Sequence, residues 1–278
     1  MLTIFSCPKP FKGHIDIIQR NALETWTRLN PKPQILIMGN EEGATEACRS
    51  LKVAHIPQVK RNSVGTPLMS SLFHLAQEHA TSPYLCYVNG DIILTSSVST
   101  TLEQLIRLQK NFLAVARRWG VDLKQPITFS PDWEIDIENL RRNKGKLEHD
   151  AAIDCFIFPK ALVKKFPDFA LGRPMWDNWF IYNTRRQNIP VIDCTEVLSI
   201  IHQNHDYGHL KGNSWEGPEA DQNRKLAGGY TRAYTIADSD YVLTKNGLQR
   251  NVIRAWRSQG VRSLKTLYHK YLRRDTRW

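Results

Sequence analysis

The sequence predicts an α/β domain: a mostly parallel central sheet with helices on both faces, followed by a basic helical tail. Three observations carry this. Apolar, β-branched runs alternate with amphipathic stretches through the first 120 residues in βαβα order. The runs Gln34–Met38 and Tyr84–Val88 are continuously apolar rather than alternating, which marks strands buried on both sides. They stop at Gly39-Asn40 and Asn89-Gly90-Asp91, residue types that end strands in turns.

In chain order, Leu2 to Phe5 is a short first strand, and Ile15 to Leu29 has helical spacing through Ile15, Ile18, Ala22, Trp26 and Leu29. Gln34–Met38 follows, then a short helix over Ala44 to Leu51 and a short strand over Val53 to Ile56. Pro67 to His79 reads as a helix capped by Thr66, with Pro67 in the first turn, where its missing N–H does no harm. Pro83 to Val88 is a strand, Ser97 to Leu108 a helix and Phe112 to Ala116 a strand. Trp119 to Asp150 is polar and irregular, broken by two apolar-aromatic islands. Ala152 to Phe158 is a strand, Leu171 to Met175 a loop and Asp177 to Gln187 a helix. Ile189 to Asp193 and Val197 to His202 are strand-like, and Asn204 to Gly229, rich in Gly, Asn, His and acids, reads as loop. From Leu248 onward, Val252, Ile253, Trp256, Leu264, Leu267 and Leu272 give a helical pattern. The expected organisation is one domain over residues 1–247, with halves 1–120 and 121–247, and an extension over 248–278.

Of 278 residues, 41% are hydrophobic and 23% charged, which excludes collagen, coiled coil and wholesale disorder. The net charge is +11, but residues 250–278 hold nine Lys/Arg against one Asp, a net of +8, so the other residues carry only +3. The tail therefore needs its own explanation. It suits an anionic membrane surface, where each basic residue adds about 1 kcal/mol, or an acidic partner. The alternative is a helix packed on the domain with a solvated face. Nucleic-acid binding is disfavoured because no recognised module accompanies the charge.

The N-terminus lacks a basic segment followed by a long apolar one, so it reads as a strand and not a signal peptide. No run of about 20 apolar residues occurs. The expected location is cytoplasmic, with peripheral contact at the inner face of a membrane through the tail. The cysteines, Cys7, Cys48, Cys86, Cys155 and Cys194, are odd in number, without a C-x-x-C pair, and several lie in apolar runs. They read as buried thiols of a reducing compartment. Only Cys7, in a strand-end loop, is placed to act as a nucleophile.

In open α/β sheets ligands bind beyond the carboxyl ends of the strands. Four segments lie there: Ser6-Cys7-Pro8-Lys9, Gly39-Asn40-Glu41-Glu42, Arg61-Asn62 with Gly65-Thr66, and Asn89-Gly90-Asp91. Their polar side chains are expected to converge on one crevice. Asp91, delivered there by an apolar strand, is a carboxylate that can hold Mg²⁺ or Mn²⁺ and through it a diphosphate. Asn-Gly-Asp is equally good turn chemistry.

Tyr87-Val88-Asn89-Gly90-Asp91-Ile92-Ile93-Leu94 resembles the metal-binding segment of GT-A-fold (Rossmann-like) nucleotide-diphospho-sugar glycosyltransferases of the family 2 type. In that family an apolar strand ends in Asp-x-Asp and continues with small apolar residues. Here the first acidic position is Asn89, so only Asp91 carries over as a metal ligand. The resemblance covers about residues 2–120 and, more loosely, extends to about 210. It implies a nucleotide-sugar-binding half over 1–120 and an acceptor-side half over 121–247. It further implies that Ser6 and Pro8, with Lys9, hold the nucleobase and ribose; that Asn40 or Glu41 adds to them; and that Arg61, Asn62, Asn89 and Asp91 lie along the donor.

Asp177 lies at a helix start between Trp176 and Trp179, in Gly172-Arg173-Pro174-Met175-Trp176-Asp177-Asn178-Trp179. That position suits an N-cap. By the resemblance it suits the general base of an inverting transferase, with the aromatic faces against sugar rings; Asp154 and Asp150 are the substitutes. The segment His202-Gln203-Asn204-His205-Asp206-Tyr207-Gly208-His209 resembles the one that supplies a histidine to the metal in many GT-A enzymes. His202 or His205 is expected to complete the shell. Three residues apart on a strand, they face opposite sides. A zinc site is disfavoured, since no cysteine pair accompanies them. Glu219 and Asn223, four apart, lie in a stretch that reads as a solvated loop-helix or as a lid.

The resulting expectation is a hexosyltransferase that moves a sugar from a nucleoside-diphosphate-sugar to a hydroxyl of a glycan, lipid-linked or small-molecule acceptor, with inversion and Mn²⁺ or Mg²⁺. A sugar-phosphate nucleotidylyltransferase would carry a glycine-rich loop after the first strand, and Ser6-Cys7-Pro8-Lys9-Pro10 has no glycine. A non-catalytic binding protein of the same fold is the other alternative, kept open by Asn89.

Overall fold

The computed structural model describes residues 2–205 and 216–252, with positions 256, 260 and 264. In chain order these form β1 (Leu2–Ser6), α1 (Gly13–Thr27), β2 (Gln34–Met38), α2 (Ala44–Leu51), β3 (Ala54–Ile56), α3 (Met69–His79), β4 (Tyr84–Val88), β5 (Ile92–Leu94), α4 (Ser97–Leu108) and β6 (Leu113–Val121). There follow α5 (Trp133–Lys144), β7 (Lys146–Leu147), β8 (Ile153–Pro159), α6 (Trp176–Arg186), β9 (Val191–Asp193), β10 (Ile200–Gln203), α7 (Pro218–Ala227), β11 (Tyr241–Thr244) and β12 (Gly247–Arg250).

The strand order is β12-β11-β9-β6-β8-β4-β1-β2-β3. Strands β4, β1, β2 and β3 run parallel, as do β6, β9 and β11. Strand β8 runs antiparallel between β4 and β6, and β12 antiparallel to β11, so the sheet is mixed though mostly parallel. Helices α1, α2 and α4 cover one face through Ala22, Leu23, Trp26, Ala44, Val98 and Leu102. Helices α3 and α6 cover the other through Met69, Leu72, Phe73, Phe180 and Ile181. The continuously apolar runs are thus buried on both sides, as their composition requires.

On the second face the core is aromatic. Phe73 stacks on Phe166 at 4.0 Å and meets Phe180 edge-on at 5.5 Å, and Tyr87 meets Trp176 edge-on at 5.0 Å. Truncating a buried ring of this kind to Ala costs about 3–5 kcal/mol. The Tyr87–Trp176 contact fixes the start of α6 against the end of β4.

Four expectations change. Thr66 does not cap α3: the helix begins at Met69 after Leu68, and Pro67 instead bridges Arg61. The polar stretch after Ala116 is ordered as five more residues of β6, then α5 and β7. The loop read over Asn204 to Gly229 contains α7. Leu248 is in strand β12, hairpinned to β11, rather than in a helix, so the sheet runs to Arg250, inside the stretch expected as the extension. Positions 252, 256, 260 and 264 are helical; the rest of the basic tail, like Asp206 to His209, lies outside the described residues. No helix among the described residues is long and apolar enough to cross a membrane.

Candidate active site

The carboxyl ends of β1, β2, β4 and β6 share one edge of the sheet, and a cavity of about 450 Å³ opens there. Its wall includes Cys7, Pro8, Lys9, Glu41, Arg61, Thr66, Asn89, Asp91, Asp154, Arg173, Trp176, Asp177, His202 and His205, all named from the sequence, and also Gln19 and Arg118. A second, open groove of about 1010 Å³ runs past Tyr182, Arg185 and Tyr234. Its Arg185 is paired with Asp240 at 2.7 Å, and among the described residues it has no cluster of three ligating groups.

Register brings the metal-type residues together. Strand β10 pairs parallel with β6 and antiparallel with β5, setting His202 opposite Ile92, the residue after Asp91. Gln203 fastens this arrangement, donating its side-chain amide to the Asp91 carbonyl at 3.0 Å. Asp91 Oδ2 lies 3.0 Å from His205 Nε2 and 3.8 Å from both His202 Nε2 and Lys9 Nζ. One ligand atom from each of Asp91, His202 and His205 falls within 4.8 Å of the others, and this is the one such cluster among the described residues. Both histidines reach Asp91 because the chain leaves the strand after Gln203. The expectation of opposite facing, which assumed continued strand geometry, is corrected.

Burial works against the Asp91 carboxylate, but the His205 hydrogen bond, the charge of His202 in the acid range where that ring is protonated, and the Lys9 charge outweigh it and hold the carboxyl well below its usual range. For His202 the partner points the other way: burial pulls the imidazole down, and Asp91 only partly opposes this. With the residue 5% exposed, burial decides, and the ring is neutral at neutral pH, the form that ligates metals. Asp91 Oδ1 is buried without a hydrogen-bond partner among the described residues, as are Ser6 Oγ and Glu41 Oε2. An unmet buried acceptor costs about 1–3 kcal/mol, so a cation at Asp91 would remove a cost the protein otherwise bears. One carboxylate and two imidazoles are a donor set that a divalent metal ion can accept, with the oxygen suiting Mn²⁺ or Mg²⁺ and the nitrogens a first-row transition ion.

Asn89 does not turn toward this cluster. Its amide donates to Asp154 Oδ1 at 2.9 Å, and its carbonyl accepts the Tyr87 hydroxyl at 3.0 Å. Asp154 is ion-paired with Arg118 at 2.5 Å. Asp150, the other substitute base, pairs with Arg117 and is absent from the cavity wall.

Asp177 is not the N-cap. Met175 is, in the left-handed conformation at φ 87°, and Asp177 is the second residue of α6, its Oδ1 accepting the Asn178 N–H at 2.8 Å. Burial pushes its carboxyl up to about 6, helped by Asp154 and opposed by the Asn178 bond. Trp176 lines the cavity, whereas Trp179 packs on Phe166 and Phe169 and does not. Helix α7 braces this corner. Asn223, fully buried, accepts from Ala170 N and donates to the Ala170 and Pro174 carbonyls. Glu219 takes Arg173 at 2.7 Å and Asn62 at 2.6 Å, and Thr66 also bonds to it.

The remaining residues named from the sequence sit at the margins. Ser6 is fully buried beneath the cavity and is not part of its wall. Asn40 is exposed at the rim, accepting Arg61 Nη2 at 2.8 Å, and Asn62 is turned to Glu219. Gly39, at φ +99°, has no room for a Cβ against Glu41 Oε2, and that lets the Glu41 carboxylate fold inward. Burial, with Glu41 beside it, pushes the Cys7 thiol far up, so no thiolate nucleophile forms there.

No family model matches the chain, and no curated protein matches it in sequence. Solved structures do. Residues 1–349 of S. aureus TarS in complex with UDP-GlcNAc align over 99% of this chain and 76% of that one, with a TM-score of 0.56 at 10% identity. Glucosyl-3-phosphoglycerate synthase from Mycobacterium tuberculosis, in complex with Mg²⁺ and UDP, aligns over 82% of this chain and 80% of that one, with a TM-score of 0.51 at 9% identity. The chain therefore has, over nearly its whole length, the fold of the GT-A glycosyltransferases.

Proposed function

We propose that the chain transfers a hexosyl group from a nucleoside-diphosphate-sugar to a hydroxyl acceptor, with inversion. The observation that carries this is one cavity holding Asp91, its Oδ1 unmet among the described residues, beside His202 and His205, and also holding Asp177. That TarS is seen with UDP-GlcNAc, and the mycobacterial synthase with UDP and Mg²⁺, supports the donor class.

The donor's base and ribose would lie against Pro8, Glu41 and Arg61, and its diphosphate near Asp91. A divalent cation, Mn²⁺ or Mg²⁺, held by Asp91, His202 and His205, would supply positive charge for the leaving diphosphate. Asp177, ionised above about pH 6, takes the proton of the acceptor hydroxyl. The acceptor oxygen forms its bond to the anomeric carbon as the bond to the diphosphate breaks, and the electron pair leaves with the diphosphate. Trp176 offers the sugar an apolar wall. Contact of the basic tail with an anionic membrane, and a cytoplasmic location, belong to the same proposal.

The test is thermal unfolding with UDP, GDP, CDP and dTDP, each with Mn²⁺ or EDTA, on wild type and Asp91→Ala. A ligand at 100 times its Kd stabilises by about 2.7 kcal/mol. A shift with one nucleotide that EDTA and Asp91→Ala abolish is the expected result. No shift with any nucleotide overturns the donor site.

A further inference from the structure

The Lys9 ammonium stands inside the proposed cation site. Its Nζ is 3.3 Å from His205 Nε2 and 3.8 Å from Asp91 Oδ2. Those two atoms are themselves only 3.0 Å apart. This geometry constrains the protons. A neutral imidazole nitrogen either donates or accepts. If Nε2 accepts from Lys9, its lone pair also faces the Asp91 carboxylate 3.0 Å away, an arrangement that a cation between the two favours. If Nε2 donates to Asp91, it can take no proton from Lys9.

Lys9 is held there by its backbone. Gln19, 2% exposed, accepts the Lys9 N–H at 2.6 Å and donates to the Lys9 carbonyl at 2.8 Å. Pro8, just before it, packs on Gly90 so closely that a Cβ at Gly90 would lie 3.3 Å from the Pro8 ring. The loop and the Asp91 turn are thus packed directly against each other. The charge count agrees. With Asn89 in place of an acid and Asp154 paired to Arg118, Asp91 is the one carboxylate in the cluster among the described residues, and the Lys9 ammonium faces it.

We infer that Lys9 is a built-in cation of this site: it competes with a divalent metal for Asp91 and His205, and it offers its charge to a bound diphosphate without metal as well as when the metal has displaced it. This deepens the proposed donor site and rests on it. The chain then binds a metal weakly on its own and well only with a diphosphate present, and it retains some diphosphate affinity without metal.

The experiment uses the full chain as wild type, Lys9→Met and Lys9→Arg, with Mn²⁺ alone and inorganic pyrophosphate in EDTA as calorimetric probes. Pyrophosphate is independent of the base, so a wrong nucleotide does not obscure the result. Lys9→Met is expected to bind Mn²⁺ alone about tenfold more tightly and pyrophosphate in EDTA about tenfold more weakly, each about 1.4 kcal/mol. Lys9→Arg is expected to keep the metal-free pyrophosphate affinity, which a merely structural role would not require. Unchanged or weaker Mn²⁺ binding in Lys9→Met overturns the competition. Unchanged pyrophosphate binding overturns the second role. Loss of nucleotide binding in wild type, with the Mn²⁺ change intact, would remove the donor reading and leave Lys9 as a competitor for the metal.

Discussion

Asn89 donates its side-chain amide to Asp154 at 2.9 Å, and the same carboxylate is ion-paired with Arg118. The asparagine at the first position of an otherwise family-like turn therefore has a local role that an acid cannot fill. Asn89→Asp sets one carboxylate oxygen against another. Like charges raise a carboxyl's pKa, and a folded-state pKa above the unfolded one means stability that is lost as pH rises. The variant is expected to unfold about 1–3 kcal/mol more easily than wild type at pH 8 and to close most of that gap at pH 5. Urea unfolding at the two pH values checks this; a gain in stability at pH 8 would rule it out.

Asp177 gives the clearest separation of stability from activity. Its carboxyl is raised to about 6, first by burial and then by Asp154. Between about pH 4, where a free Asp ionises, and pH 6 the folded chain holds the extra proton, so stability falls as pH rises through that window. Asp177→Asn removes this penalty. Its unfolding midpoint at pH 7 is expected to equal or exceed that of wild type, while turnover drops about 10²- to 10⁴-fold with donor affinity kept. The wild-type rate is expected to decline below about pH 6. A variant that loses donor binding instead would place Asp177 in the donor site.

Much of this was legible because strand ends are legible. Asp91, His202 and the Pro8–Lys9 loop follow from apolar runs that stop, and the topology gathers such stops on one edge. Arg118 was missed because β6 was expected to end at Ala116. The strand instead shifts register between Val115 and Arg117 and continues, Arg-Arg-Trp-Gly, alongside β10. A bulge hides the apolar rhythm that a strand prediction uses. Helix α5 buries only Trp133 and Ile137, too little for a recognisable stripe. The Arg173–Glu219 pair joins residues 46 apart, a contact that only the fold reveals.

Gln19 is legible in the sequence only as part of a helix, yet the oxygen and the nitrogen of its side-chain amide are both committed to the Lys9 backbone. Gln19→Glu keeps an acceptor and loses the donor, leaving the Lys9 carbonyl against a carboxylate. A loss of about 1–3 kcal/mol is expected, with weaker pyrophosphate binding at equal metal. Chemical denaturation gives the first quantity and calorimetry the second. If binding is unchanged while stability falls, the clasp serves folding alone.

The brace at α7 makes the last case. Asn223 accepts one backbone N–H and donates to two carbonyls from the segment leading into Met175, whose φ of 87° is unusual for a side chain with a Cβ. Such a conformation persists only where its surroundings over-determine it, and the Asn223 bonds supply that. Asn223→Ala leaves those backbone groups unmet, for roughly 1–3 kcal/mol. Asn223→Asp is expected to be worse, because a carboxylate then faces the Ala170 and Pro174 carbonyls, and its deficit grows with pH as that carboxyl ionises. Donor affinity is expected to fall less than turnover, since the segment leads to Asp177 rather than to Asp91. Urea unfolding of wild type and both variants at pH 5 and pH 8, beside donor titration, decides it: an Ala form as stable as wild type would show that the two carbonyls do not need the amide, and equal stability of the Ala and Asp forms at pH 8 would show that the carboxylate adds no repulsion.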